Sequence, residues 1–320
     1  MSRLFRLLQA GGPFLGLLLV CGLFMLTEER EFIFTGANFK NIVTQTVIVA
    51  VGALGMTLII VGGGIDLSVG SVVAFTGVLG AKLLVAGWAP WTTTLALVAV
   101  GGAIGLLNGG IVAGFRMMPF IVTLGMMGIV RGAAKWLAEN QTVDAPPDSP
   151  VGRLMARVNP SEFWPLPVGA WIMLGLAVVI AVLLRQTLFG RYVYAMGANE
   201  TAARYSGVRV GAVKAATYVI AGLLFGFAGM LQMSRLTQGD PTIAIGLELD
   251  IIAAVVIGGA SLSGGVGSIT GSLIGALIMA LLRNGTNQLG WETYTQEIII
   301  GGVIVLAVGL DKWRETRRSS

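Results

Sequence analysis

Gly63-Gly64-Ile65-Asp66-Leu67-Ser68-Val69-Gly70-Ser71 and Gly258-Gly259-Ala260-Ser261-Leu262-Ser263-Gly264-Gly265-Val266-Gly267-Ser268 are nearly the same polar phrase written twice, each between two strongly apolar stretches. A duplicated chain that crosses a membrane is the simplest reading. Irregular backbone at bilayer depth is tolerated only where protein buries it or where it lines a cavity. Paired Gly/Ser interruptions at corresponding places in two halves therefore point to a transport route.

The composition around the phrases agrees. Of 320 residues, 55% are hydrophobic and 12% charged, with a mean hydropathy of +0.83, whereas about a quarter of a soluble domain is charged. The 47 glycines suit closely packed membrane helices, and the lack of strand alternation argues against a β-barrel. Cys21 is alone, so no intramolecular disulfide forms. The chain has no histidine, which removes His-ligated metal sites, Ser-His-Asp triads and His relays. No lysine follows a glycine, so there is no phosphate loop and no ATP hydrolysis by that route. No catalytic set, metal site or cofactor is expected.

Windows near 20 residues give ten expected spans: 12–27, 41–62, 69–87, 92–114, 118–137, 166–184, 213–233, 249–263, 266–283 and 295–310. The fold class is an all-α polytopic membrane protein in two related halves, forming one transmembrane domain over 1–320. Residues 1–184 make the first half, with 12–27 as a retained anchor helix. Residues 185–212 make an internal loop and 213–320 the second half. Ten spans put both termini on one side. Arg3, Arg6, Arg116, Arg185, Arg191, Arg204, Arg209, Lys214, Lys312, Arg314, Arg317 and Arg318 fall on that side, which the positive-inside rule makes cytoplasmic. The same rule accounts for the net charge of +5 without nucleic acid. Glu28, Glu29, Glu31, Glu139, Asp144, Asp148 and Glu162 fall outside. The outer loop over about 139–165 carries Pro146, Pro147, Pro150 and Pro160. The window at 249–263 is short and interrupted by Gly258-Gly259, and 295–310 is only just long enough; a re-entrant segment at either would change the parity.

Asp66 stands in an apolar region, where an acid costs about 2.5–3.5 kcal/mol on insertion scales. It either caps the helix that begins near Leu67 or faces a polar route, and a capped half-helix can do both. Ser68 belongs to the same turn. Phrase alignment makes Ser261, followed by Ser263, the counterpart of Asp66. Glu248 and Asp250 cannot share a helix face two residues apart, so at most one points into a route, and Asp250 lies closer to the apolar run. Asn108, Thr123 and Gln232 read as cross-helix hydrogen-bonding groups, Asn108 also as a possible route residue. Gly101/Gly105/Gly109 and Gly267/Gly271/Gly275 are ladders for close helix crossing. In the internal loop, Asn199 to Gly207 reads as a short amphipathic helix with a polar start and a glycine stop.

Together with Pro119-Phe120-Ile121-Val122-Thr123-Leu124-Gly125, Ala195-Met196-Gly197-Ala198-Asn199-Glu200-Thr201-Ala202-Ala203-Arg204 and Glu248-Leu249-Asp250-Ile251-Ile252-Ala253-Ala254, these phrases give a chain that resembles the permease subunits of bacterial ATP-binding-cassette monosaccharide importers, of the ribose, arabinose, xylose and galactofuranose branch. The resemblance covers almost the whole chain. It implies a type II importer fold in the bacterial inner membrane and a second permease copy, as a homodimer or with a related permease. It also implies cytoplasmic ATPase subunits and a periplasmic sugar-binding protein. Asn199, Glu200, Ala202, Ala203, Arg204 and Gly207 then form the coupling helix seated in the ATPase, although Thr201 stands where the family pattern has Glu. An ion-coupled secondary transporter of a small polar solute is the alternative from a different class. It would have to rely on Asp66 and Asp250 as its titrating groups.

Overall fold

The computed structural model describes residues 3–27, 30–146, 149–151, 154–155, 166–292, 294–302, 305–306 and 309. Glu28, Glu29, Pro147, Asp148, Pro160, Glu162, Lys312, Arg314, Arg317 and Arg318 lie outside the described residues.

The helices are α1 (Arg3–Met25), α2 (Arg30–Ile33), α3 (Gly36–Val61), α4 (Val69–Val85), α5 (Pro90–Gly114), α6 (Pro119–Leu137), α7 (Val168–Gln186), α8 (Leu188–Ala198), α9 (Glu200–Tyr205), α10 (Val210–Leu236), α11 (Leu247–Ile257) and α12 (Ile269–Gln288). Residues 294–302 are also helical. Strands β1 (Val143–Asp144) and β2 (Gln238–Gly239) form one short antiparallel pair. Among the described residues, six helices are long and apolar enough to cross a membrane: α3, α5, α6, α7, α10 and α12. The expected windows at 12–27 and 69–87 fall on shorter apolar helices, Gly11–Met25 and Val69–Val85.

The window at 249–263 is corrected. Its helix, α11, has 11 residues and stops at Ile257, a length of about 16 Å against a hydrocarbon core of about 30 Å. Gly258 caps it and Gly259, at φ +89°, turns the chain away. At the other end α11 follows Gly246, at φ +81°, a left-handed conformation that glycine adopts without steric cost.

Helix α3 is buried without interruption from Thr46 to Val61 and forms the centre. At the periphery, α6 and α7 turn Ile129, Trp136, Val178 and Val179 outward, an apolar flank suited to lipid. Lipid tails are as apolar as the side chains, so helices associate here through close packing and interhelical hydrogen bonds. The first glycine ladder and two members of the second serve that end, while Gly267 falls in the loop before α12. A methyl group on Gly101, Gly105 or Gly109 of α5 would meet the α10 backbone at Gly222, Tyr218 or Ala215, and one on Gly271 or Gly275 of α12 would meet α11 at Gly258 or Ala254. Polar ties join α3 to α12: Asn38 Nδ2 donates to Asn284 Oδ1 at 2.7 Å, Asn284 Nδ2 donates back at 3.0 Å, and Thr57 Oγ1 lies 2.7 Å from Ser272 Oγ.

Gly211, at the start of α10, lies beside Ala113, near the end of α5. Arg116 therefore shares one end of the bundle with α8, α9 and Lys214. The β pair marks the other end, where Arg131 Nη1 donates to the carbonyls of Pro241 at 3.0 Å and Ile243 at 2.7 Å.

Candidate functional site

The first phrase forms the turn between α3 and α4. Asp66 is 1% exposed. Its Oδ1 accepts from the Ser68 backbone N–H at 2.8 Å and the Ser68 hydroxyl at 2.6 Å, and its Oδ2 accepts from Asn108 Nδ2 at 3.2 Å. Asn108 Nδ2 also donates to Ser68 Oγ at 3.0 Å. The carbonyl of Ile65 accepts from Thr123 Oγ1 and the Tyr218 hydroxyl, both at 3.3 Å. Ser68 is the N-cap of α4, but its own side chain makes no capping bond, so Asp66 closes the helix start from two residues upstream. One carboxylate thereby ties the turn to α5, while Thr123 and Tyr218 tie it to α6 and α10.

The second phrase is longer and is built differently. Ser261 does not take the place of Asp66: its N–H donates to the Val266 carbonyl at 3.0 Å and its Oγ accepts from the Ser263 N–H at 3.3 Å, within the turn that follows α11. The residue that caps α12 is Ser268, whose Oγ accepts from the Gly271 N–H at 3.1 Å. Matching the phrases from their Gly-Gly starts misplaces the counterpart because the second loop carries extra residues before its helix.

The two phrases meet at the internal loop. Gly265 N–H donates to the Val61 carbonyl at 2.8 Å, and the Tyr194 hydroxyl of α8 donates to the Gly267 carbonyl at 2.8 Å. Gly197 lies between them. A methyl there would overlap the Val61 carbonyl oxygen and sit 2.6 Å from the Gly265 nitrogen. Gly197→Ala is expected to separate the phrases and to destabilise the fold by about 1–3 kcal/mol, the usual range for forcing a methyl into a packed interior; thermal unfolding in detergent measures it.

From this junction α9 projects. Asn199 is its N-cap, with Oδ1 accepting from the Ala202 N–H at 2.9 Å, and Gly207 ends it at φ +87°. Ala203 is buried, whereas Thr201, Ala202, Arg204 and Tyr205 are exposed. Glu200 faces inward. It accepts from Lys214 Nζ of α10 at 2.6 Å and from Arg204 at 2.8 Å. The Lys214 hydrogen bond is the main reason its carboxyl titrates below the ordinary 4.5. A lowered carboxylate pKa stabilises the fold above the unfolded value and loses that contribution as pH falls through the folded one. The Glu200 side chain is 41% exposed, so the pair is worth at most about 1 kcal/mol. Glu200→Gln is expected to lower the melting temperature slightly at pH 7 and progressively less as pH falls through the lowered pKa, which melting curves over a series of decreasing pH values compare.

A third site opens at the N-terminal end of α11. A cavity of about 320 Å³ is bounded by Gln45 of α3, Gln232 and Arg235 of α10, Asp250 of α11, and Arg283 and Asn287 of α12. Asp250 is 3% exposed, and its Oδ2 accepts from Arg283 Nε at 2.6 Å. Asp250 Oδ1 and Arg235 Nε are buried without a hydrogen-bond partner. Glu248 points elsewhere, its Oε1 accepting from the Gly246 N–H at 3.3 Å and its side chain lying against Gly70. Only one of the two neighbouring acids faces the cavity, as their spacing on the helix requires.

The same contacts fix the depth of this site. Gly239 of β2 packs on Val78, and Ala244 packs on Gly70, so the segment between β2 and α11 descends about 12 Å along α4 before α11 begins. The cavity therefore lies at the head of a half-length helix inside the bundle. Sequence reasoning passed over Arg235, Arg283, Gln45, Asn287, Tyr194 and Gly197. The arginines had a signal: cations close to apolar spans, away from the basic end.

The described residues thus form an all-α bundle with a half-length helix, two irregular loops joined beside Gly197 and a polar cavity walled by four helices. Residues 38–308 match the family model described as "Branched-chain amino acid transport system / permease component", and the chain belongs to that family. It is 42% identical over 283 residues to the ribose import permease protein RbsC of Escherichia coli K12, covering 88% of each chain. It is 39% identical over 305 residues to RbsC of Bacillus subtilis 168, covering 95% of this chain and 93% of that one. With the L-arabinose ABC transporter permease protein AraH of Azospirillum brasilense it shares 35% identity over 292 residues, covering 89% of this chain and 82% of the relative. No solved structure matches the chain significantly.

Proposed function

We propose that this chain is the membrane-spanning subunit of an ATP-driven importer of a monosaccharide. The observation that carries the reading is similarity to sugar permeases over 88–89% of this chain at 35–42% identity, joined to an exposed α9 whose frame is held to the bundle interior. In this reading two copies of the chain form the pathway in the bacterial inner membrane, with both termini and the α8–α9 end in the cytoplasm; the segment that descends along α4, together with α11, counts as one crossing, so the parity is kept. The exposed face of α9, formed by Ala202, Arg204 and their neighbours, seats in an ATPase subunit, and Asn199, Glu200, Ala203 and Gly207 set its shape. A periplasmic binding protein delivers sugar to the opposite end.

Closure of the ATPase pair moves α9, and the junction at Gly197 carries that movement to both polar phrases together. Asp66, Ser68 and Asn108 hold the start of α4 firm as the phrases move, Ser261 and Ser263 belong to the moving second loop, and Asp250 faces the polar route. Reconstitution in proteoliposomes tests the reading. Uptake of labelled D-ribose, L-arabinose or D-allose is expected only with ATP, the ATPase subunits and the binding protein all present. Accumulation driven by a proton or sodium gradient without ATP would overturn it.

A further inference from the structure

We infer that the cavity at the head of α11 is a sugar-holding subsite within a single copy of the chain, built for the vicinal hydroxyls of a neutral aldose. The inference rests on the sugar-import reading above and adds to it a place where the passing sugar is held. Its volume of about 320 Å³ is at the small end of the range of about 300–1,000 Å³ for ligand sites, suiting a monosaccharide better than a disaccharide. The walls supply what a polyol needs. Asp250 Oδ1 is a buried acceptor with no partner, and Arg235 Nε is a buried donor with none. The amides of Gln45, Gln232 and Asn287 can each both donate and accept.

A hydroxyl is donor and acceptor at once, so adjacent hydroxyls can satisfy Asp250 Oδ1 and Arg235 Nε together, which an aliphatic side chain cannot. Arg283 holds the other carboxylate oxygen at 2.6 Å and so keeps Oδ1 free for the guest. The unmatched donor and acceptor stand on α10 and α11, and further polar lining groups stand on α3 and α12. An occupied site would therefore bridge four helices and respond when α11 moves.

The test uses thiol protection in the purified full-length chain. Cys21 is the chain's lone cysteine, so Cys21→Ser gives a silent background, and Gln45→Cys or Asn287→Cys places one thiol at either wall of the cavity. The rate of reaction with a small water-soluble methanethiosulfonate is read with D-ribose, with L-leucine and with glycine betaine at equal osmolality. For a weak site with a Kd of about 10 mM, 100 mM D-ribose is expected to slow labelling about tenfold, following 1 + [L]/Kd, while betaine and leucine leave it unchanged. Protection lost on adding Arg235→Gln places the sugar against that guanidinium. Equal rates with all three solutes at both thiols, or protection by leucine alone, overturn the subsite. ATP-driven sugar uptake without protection removes the subsite and leaves the importer reading standing. Protection without ATP-driven uptake does the reverse.

Discussion

Arg283→Ala is expected to lower the stability of the folded chain by about 3 kcal/mol, because it strands a buried carboxylate. Asp250 is 3% exposed, and its one ionic partner among the described residues is Arg283 at 2.6 Å. Breaking a buried pair from one side typically costs about 3–5 kcal/mol, and the lower end applies because the Arg283 side chain is 33% exposed and the neighbouring cavity admits water. The double replacement Asp250→Leu with Arg283→Met should regain most of the loss, since two apolar groups of similar size leave no orphaned charge. Thermal unfolding of the three proteins in detergent reads this directly. If the single variant melts like the wild type, the pair contributes nothing to the fold. A stable double variant that no longer transports would assign the pair to the route and not to the scaffold.

Asp66→Ala is expected to be comparably damaging, by about 3 kcal/mol, while Asp66→Asn should cost less than about 1 kcal/mol, because unsatisfied buried donors carry the penalty and a lost charge here does not. The carboxylate accepts from three donors, the Ser68 N–H, the Ser68 hydroxyl and the Asn108 amide, and alanine would leave all of them buried without it. The amide replacement keeps an oxygen for Ser68. It can also donate to Asn108 Oδ1, a buried atom that now has no partner, once the Asn108 amide turns over. Chemical unfolding in mixed micelles ranks the variants. Equal damage from both would mean that the negative charge is required and would move Asp66 from the scaffold to the working site.

Much of this arrangement was legible beforehand. The α9 segment is local: Asn199 accepts from an N–H three residues on and Gly207 takes a positive φ, so its shape follows from residue order. The ladder at Gly101, Gly105 and Gly109 announced a close crossing, though not that α10 would fill it. The Asp66 turn was legible as a cap, whereas its bond to Asn108 joins residues 42 apart. No local pattern identifies that partner. The eighth window failed for a related reason. A hydropathy window cannot distinguish a helix long enough to cross from a shorter one followed by small residues of similar polarity.

The sequence by itself determined that this chain lives in a membrane, that it is helical, that it carries two related polar interruptions and that it has no G-x-x-x-x-G-K-S/T phosphate loop. Each of these depends on residue type and spacing, which every copy of the chain displays before it folds. Only the tertiary structure decided that both interruptions close on Gly197, that α11 is a half-length helix begun inside the bundle, and that Arg235, Asp250 and Arg283 surround one cavity. Those facts depend on which distant helices pack together. In lipid that choice is made by close backbone approach and by the pairing of buried polar groups, and neither can be read from a residue and its neighbours along the chain.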